Sequence, residues 1–133
     1  MRDRVRVLVH SSRRFGKGKA FETPMDELKT KYNDKEGITW HWTFGANGLK
    51  DDDEPQTLLM TWEGKVFGEA DATITRDIDD DWRNDGYNFA FNIKKYANRR
   101  KSIPLKSITK RRPQQGGTFA LHEDEIERYR RLR

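Results

Sequence analysis

Apolar residues alternate with polar ones at several places along the chain, and each alternating run predicts a β-strand. The run Arg4–His10 carries three valines on one side, and Ile38–Phe44 carries two tryptophans on one side. Further strands are predicted at Thr57–Trp62, Lys65–Arg76, Tyr87–Ile93, Ser102–Ile108 and Gly116–Leu121. The short turn at Glu63 and Gly64 predicts that the first two of these form a hairpin.

Two other segments predict helices. Thr23 is a suitable N-cap, and Pro24 a suitable first residue, for a helix that ends before Gly37. The second segment, Glu123–Leu132, has acids in its first turn and arginines in its last turn, an order that suits the helix dipole.

Together these elements predict an α+β domain. Six or seven short strands with two or three peripheral helices favour a small, mostly antiparallel β-barrel. Small residues in the second hairpin strand, such as Gly68 and Ala70, fit a curved barrel wall that packs closely on another element. With 133 residues and neither a linker nor a repeat, residues 1–133 are expected to form a single domain.

Charge is distributed in blocks along the chain. Residues 1–20 hold seven Arg and Lys against one Asp, and residues 86–121 hold nine bases and no acid. The middle, residues 50–85, holds twelve acids against four bases, concentrated in two predicted loops, Asp51–Pro55 and Asp77–Gly86. Two converging basic blocks predict a positive surface for a polyanion. The alternative is that charged loops only keep a small domain soluble.

Several classes of function are disfavoured. The chain has no cysteine, so it has no disulfide, thiol nucleophile or cysteine zinc site. Its three histidines lack metal-binding spacing, and an apparent calcium loop from Asp77 has Trp82 where glycine is required. No cofactor or metal is therefore expected. No apolar run reaches membrane-spanning length and the start lacks a secretory signal, so we expect a soluble cytoplasmic protein with no membrane partner.

The order of motifs is similar to that of a known superfamily. A tryptophan-rich strand, Ile38–Phe44, precedes a glycine-centred hairpin over Leu58–Ala70 that contains a G-x-A pattern at Gly68. An I-P-L segment, within Ser102–Ile108, follows late in the chain. This order resembles the PUA-like superfamily, especially its EVE and ASCH branches. The resemblance implies a barrel-like fold and a reader of DNA or RNA, which in this superfamily is often specific for a modified or flipped-out base.

A base-binding pocket follows from this resemblance and from the aromatic residues. A base taken out of a helix is held by stacking, and loop-borne tryptophans suit such a cage. The predicted pocket residues are Ser11, Trp40, Trp42, Trp62 and Trp82. Because Trp40 and Trp42 share a face with Ile38 and Phe44, the alternative for this pair is the hydrophobic core.

Phosphate contacts are predicted in the two basic blocks, because Lys and Arg displace counterions from a nucleic-acid backbone. The predicted phosphate-binding residues are Arg13, Arg14, Lys17, Lys19, Arg99, Arg100 and Lys101.

Two other functions stay open. An enzyme of the same fold is one: Asp53 with Glu63 and Lys65 resembles the acid-then-E-x-K pattern of metal-dependent nucleases. Thr61, Lys65 and Glu69 supply the residue types of an ASCH-type amidohydrolase. The other is an adaptor whose acidic loops meet a basic partner, and a separate effector protein could accompany a nucleic-acid reader.

Overall fold

A computed structural model of the chain describes residues 1–10, 38–42, 52–112 and 117–133. Within these residues the chain forms six strands, two α-helices and one 3-10 turn. The strands are β1 Val5–His10, β2 Ile38–Trp42, β3 Asp52–Trp62, β4 Lys65–Thr75, β5 Phe89–Pro104 and β6 Thr118–Ala120; the helices are α1 Asp80–Asn84 and α2 Glu123–Leu132, and the 3-10 turn is Leu105–Ser107. The helix predicted after Thr23 lies outside the described residues.

The six strands form a single mixed sheet in the order β2-β5-β4-β3-β1-β6. All neighbours are antiparallel except β1 and β3, which run parallel from Val5 beside Thr57 to His10 beside Trp62. The α+β class and the mostly antiparallel sheet are confirmed. The closed barrel is wrong for the described residues, because β2 and β6 lie at opposite edges of an open sheet and do not pair.

The β3–β4 hairpin is confirmed with its predicted turn. Glu63 and Gly64 both have positive φ, 48° and 77°, the backbone conformation that lets a two-residue turn follow the twist of its strands. Glycine adopts that conformation without strain. The hairpin then continues into β5, so β3, β4 and β5 form an antiparallel meander at the centre of the sheet.

Two predicted loops contain regular structure. The acidic stretch predicted as a connection belongs largely to β3, which begins at Asp52, opposite Ile74 of β4. Asp52 forms an ion pair there with Arg4. This contact stabilises the beginning of a strand whose first residues are not apolar. The second acidic loop contains the single-turn helix α1. Hydrogen bonding to neighbouring strands and turns therefore determines these segments more than hydrophobic alternation does.

Each face of the sheet covers its own apolar cluster. The cluster on the first face contains Leu8, Leu58, Met60, Phe67, Ala70, Ala72, Ile74, Phe89, Phe91 and Ile93. The cluster on the second face combines strand residues such as Val7 and Leu59 with Ile126 and Tyr129 of α2. The predicted helix Glu123–Leu132 is thus confirmed, and its buried side packs against the second face.

The start of α2 is held by a buried carboxylate. Glu125 accepts a hydrogen bond from the backbone N–H of His122 at 2.9 Å and is ion-paired with Arg111. The Arg111 guanidinium also lies over the ring of Phe119, 4.5 Å from its centroid. Burial opposes ionisation of Glu125, but hydrogen bonds from Thr109, the His122 N–H and Arg111 outweigh it, so the pKa of Glu125 lies below its ordinary value.

We expect Glu125→Gln to lower the free energy of unfolding by about 1–3 kcal/mol at pH 7, because the buried side chain at position 125 loses its charge and its ion pair with Arg111. A carboxyl whose pKa is lowered on folding stabilises the protein above its unfolded pKa, and this contribution disappears as pH falls through the folded value. The difference in free energy of unfolding between the unmodified protein and Glu125→Gln should therefore shrink below about pH 4. Urea unfolding at pH 7 and pH 3.5 measures it; Glu123→Gln, an exposed acid of the same turn, is the control. A difference that does not change with pH would contradict this assignment.

Candidate nucleic-acid interface

Strand register gives the sheet two distinct ends. At the first, which we call the hairpin end, Trp62 of β3 lies between His10 of β1 and Lys65 of β4. Lys65 in turn lies opposite Pro104, the last residue of β5. At the opposite end, which we call the far end, β4 finishes at Thr75 and β5 begins.

Charges separate between these two ends. The hairpin end has Glu63 in its turn and the bases Lys65, Arg99, Arg100, Lys101 and Lys106. The far end has the bases Arg2, Arg4, Arg76 and Arg83 and the acids Asp3, Asp52, Asp53, Glu54, Asp77, Asp79, Asp80, Asp81 and Asp85. Among the described residues, acids thus predominate at one end and basic residues at the other, which the linear sequence shows only as consecutive blocks.

The last three basic residues of β5 lie where its pairing with β4 is irregular. Gly68 is opposite Asn98, and Val66 is opposite Ile103, so all of Arg99–Ser102 faces the single residue Phe67. We call Arg99–Ser102 the basic bulge. An insertion of this kind leaves residues outside the regular ladder and bends the strand, a device often found next to binding sites. The separate strand predicted at Ser102–Ile108 is wrong: its first residues are the end of β5, which extends to Pro104, and the 3-10 turn Leu105–Ser107 follows.

Trp62 combines an aromatic surface with an adjacent cation. Its side chain is half-buried and packs at the margin of the first-face cluster. Lys65, directly opposite on β4, is exposed, and residues opposite each other in an antiparallel pair share a face of the sheet. The hairpin end therefore offers a ring and a positive charge side by side.

Next to the basic bulge, a tyrosine and an asparagine form a fixed pair. The hydroxyl of Tyr96 donates a hydrogen bond to Oδ1 of Asn98. The Tyr96 ring lies over Gly68 so closely that a Cβ on this glycine would be 2.5 Å from a ring carbon. Burial raises the pKa of Tyr96, which keeps its hydroxyl protonated and a donor at neutral pH.

The predicted tryptophans divide between the two ends. Trp40 and Trp42 lie on β2 opposite Phe91 and Phe89, near the start of β5. Trp40 is half-buried and packs against the first-face cluster, as the core alternative proposed. Trp82, on α1 at the far end, is 40% exposed and meets Tyr87 edge-to-face at 5.2 Å between ring centroids. Trp62 alone of the four lies at the hairpin end, so whether the set forms one pocket stays a prediction.

The predicted phosphate-binding residues are described in part. Arg13, Arg14, Lys17 and Lys19 lie outside the described residues, as does Ser11 of the predicted pocket. His10, the residue that directly precedes them in the chain, lies beside Trp62. Arg99, Arg100 and Lys101 are in β5, within the basic bulge, and Lys101 is exposed.

The residues of the enzyme alternatives are not assembled. Asp53 and Glu63 lie at opposite ends of β3, an 11-residue strand. The Thr61 hydroxyl donates to the Leu8 carbonyl at 2.7 Å, and Glu69 is paired with Arg133 at 2.9 Å. Among the residues with described side chains, no three His, Asp or Glu lie close enough together to hold a metal ion. Nor does the described part of the chain contain a helix long and apolar enough to cross a membrane.

The sequence-based site omitted the pair of Tyr96 and Asn98. Tyr96 lies between two predicted strands, Tyr87–Ile93 and Ser102–Ile108, so its place on a face of the sheet was not evident from the sequence. The available signal was Gly68, since a glycine inside a strand marks the close approach of another group. That group is the Tyr96 ring.

Comparisons with known proteins identify the fold but no family. No protein-family model matches the chain, and no curated protein matches it. Among solved structures, the chain is similar to the YTH domain of Zygosaccharomyces rouxii MRB1 protein, determined in complex with N6-methyladenosine RNA. The identity is 16% and the TM-score 0.55, over 98% of this chain and 86% of that one. The described α+β sheet is thus a known arrangement, whereas the resemblance to the EVE and ASCH branches stays a prediction.

Proposed function

We propose that this chain is a nucleic-acid-binding domain that holds single-stranded RNA across its hairpin end. Lys65 and the basic bulge contact phosphates, and Trp62 stacks an unpaired base. The part of the first basic block that follows His10, with Arg13, Arg14, Lys17 and Lys19, adds further phosphate contacts.

The separation of charge between the two ends carries this proposal. Phosphate contacts supply much of the affinity of nucleic-acid-binding proteins, and an acidic surface repels the same backbone. Basic residues lie at the hairpin end, and acidic residues predominate at the far end. This distribution favours the hairpin end as the binding site of a polyanion. Charged loops that served solubility alone would have no reason to separate in this way.

An aromatic side chain among these basic residues favours single-stranded RNA over a duplex. Bases in a duplex are stacked on each other, whereas an unpaired base exposes a face that stacks on tryptophan or tyrosine. Trp62 is half-buried and lies opposite the exposed Lys65. A ring fixed by the core loses little conformational entropy when a base binds to it.

The similar YTH domain supports the choice of RNA and of a modified base as ligands. That protein was determined in complex with N6-methyladenosine RNA. A methyl group adds apolar surface to a base without removing its stacking face, so an aromatic contact suits it. We therefore propose that the unpaired base is a methylated one, with N6-methyladenosine as the first probe.

We expect a labelled RNA heptamer with one central N6-methyladenosine to bind with a logarithmic salt dependence of about −2 to −3, since each phosphate contact to a single strand contributes roughly −0.7. Fluorescence anisotropy between 50 and 300 mM KCl measures this slope. Unmodified RNA and DNA heptamers of the same sequence are the controls, and both are expected to bind more weakly. Absence of binding to all three oligonucleotides at 50 mM KCl would refute the proposed function.

A further inference from the structure

We propose that Asn98 determines sequence specificity at this surface: its amide donates to the edge of a base one or two nucleotides from the one stacked on Trp62, and favours a base with a carbonyl at that edge. Uracil and guanine are such bases. The inference rests on the proposed function, and Tyr96 acts as the positioning residue.

The hydrogen bond between Tyr96 and Asn98 decides which end of the amide faces outward. An asparagine amide has a donor end and an acceptor end, and a free amide presents either of them. Here the Tyr96 hydroxyl donates to Oδ1, which holds the acceptor end toward Tyr96 and turns the Nδ2 donor end away from it, toward a ligand. Asn98 is exposed, which places this donor where a base can reach it.

The Tyr96 ring is in turn held by the sheet. It packs against the first-face cluster and lies over Gly68, where any larger residue would displace it. A hydroxyl held by a packed ring gives its partner a fixed direction, which is what discrimination between bases requires.

The location of Asn98 fits a nearby nucleotide and not the stacked base itself. Asn98 on β5 and Trp62 on β3 are separated by β4, and Asn98 pairs three residues further along β4 than Trp62 does, so the two positions lie roughly 14 Å apart. Asn98 directly precedes the basic bulge, so a phosphate held by the bulge brings its base toward the amide. Phosphate contacts fix the register of a strand, and base contacts then read its sequence.

The chemistry of the donor predicts the preferred bases. Uracil carries a carbonyl oxygen at the position where cytosine carries an amino group, and guanine and adenine differ in the same way. A donor aimed at this position makes a hydrogen bond to the carbonyl and none to the amino group. An amide held with its donor end toward the ligand therefore favours uracil over cytosine.

Labelled U7 and C7 RNA heptamers test this inference, since both are single-stranded pyrimidine strands with the same backbone. We expect the unmodified protein to bind U7 about fivefold to tenfold more tightly than C7. In Tyr96→Phe the amide is free to turn, so this ratio should fall below about twofold. In Asn98→Asp an acceptor replaces the donor and the preference should reverse toward C7, whose amino group a carboxylate accepts.

Asn92→Asp is the matched control, because it makes the same chemical change on the same strand near the far end, where Asn92 bonds to Thr39. Its ratio of U7 to C7 affinity should equal that of the unmodified protein. Equal binding of U7 and C7 by the unmodified protein, or a preference that survives in Asn98→Asp, would overturn the inference alone. Binding of neither heptamer, while the N6-methyladenosine heptamer still binds, would also overturn the inference; if that heptamer fails to bind as well, the proposed function on which the inference rests is refuted.

Discussion

Replacing Arg99, Arg100 and Lys101 together by glutamine is expected to weaken RNA binding about 100-fold at 0.1 M salt. Each phosphate contact to a single strand contributes roughly 0.7 to the logarithmic salt slope, so three contacts account for about two decades of affinity at this salt concentration. The slope itself should become shallower by about 2. Anisotropy titrations of both proteins at several KCl concentrations give both quantities.

The control for this variant removes the same charge elsewhere. Lys94, Arg112 and Arg131 are exposed cations outside the hairpin end. Their triple replacement by glutamine should change the affinity less than about fivefold, through the reduced net charge alone. Equal losses in the two triple variants would mean that total charge governs binding, and the hairpin end would then have no special role.

Trp62→Ala is expected to weaken RNA binding by about 1–3 kcal/mol, the range found when a stacking aromatic is removed. This corresponds to a loss of roughly 5-fold to 150-fold in affinity. The salt slope should stay unchanged, because no phosphate contact is lost. This difference separates the role of Trp62 from that of the basic bulge.

Trp82→Ala is the matched control, because Trp82 is the exposed tryptophan of the far end. Its affinity for RNA should lie within twofold of the unmodified protein. Trp62→Phe keeps a ring against the first-face cluster and should retain most of the binding, which distinguishes stacking from loss of fold. If Trp82→Ala lost binding and Trp62→Ala did not, the base would bind at the far end and the site would be wrong.

Much of the sheet was predictable from local patterns. In β1, Val5, Val7 and Val9 are all buried on the second face, as their alternation predicted. The turn at Glu63 and Gly64 and the helix Glu123–Leu132 were also predicted, because a two-residue turn and a charge-ordered amphipathic helix depend on residues close in sequence.

The parts that depend on partner strands were not predictable. Asp52 belongs to a strand because it pairs with Ile74 and Arg4, and neither partner is evident from the alternation around Asp52. In the same way β5 continues through lysines and arginines because β4 offers it hydrogen bonds along most of its length. The parallel pairing of β1 with β3 joins segments far apart in sequence, and this arrangement replaces the predicted barrel.

For the candidate site, residue types were easier to predict than their arrangement. The sequence identified the basic blocks and the tryptophans as candidates. It did not show that Trp62 and Trp82 belong to opposite ends of the sheet, since this follows from strand register. Nor did it show that Tyr96 positions Asn98, which requires the irregular pairing of β4 with β5.

The separation of charge between the two ends also has a kinetic consequence. A molecule with opposite charges at its ends has a permanent dipole, which turns its hairpin end toward a polyanion before the two touch. Salt should therefore act mainly on the rate of association, by screening this orientation. The contacts of Trp62 and Asn98 form only after the encounter, so they should determine how long the bound strand stays.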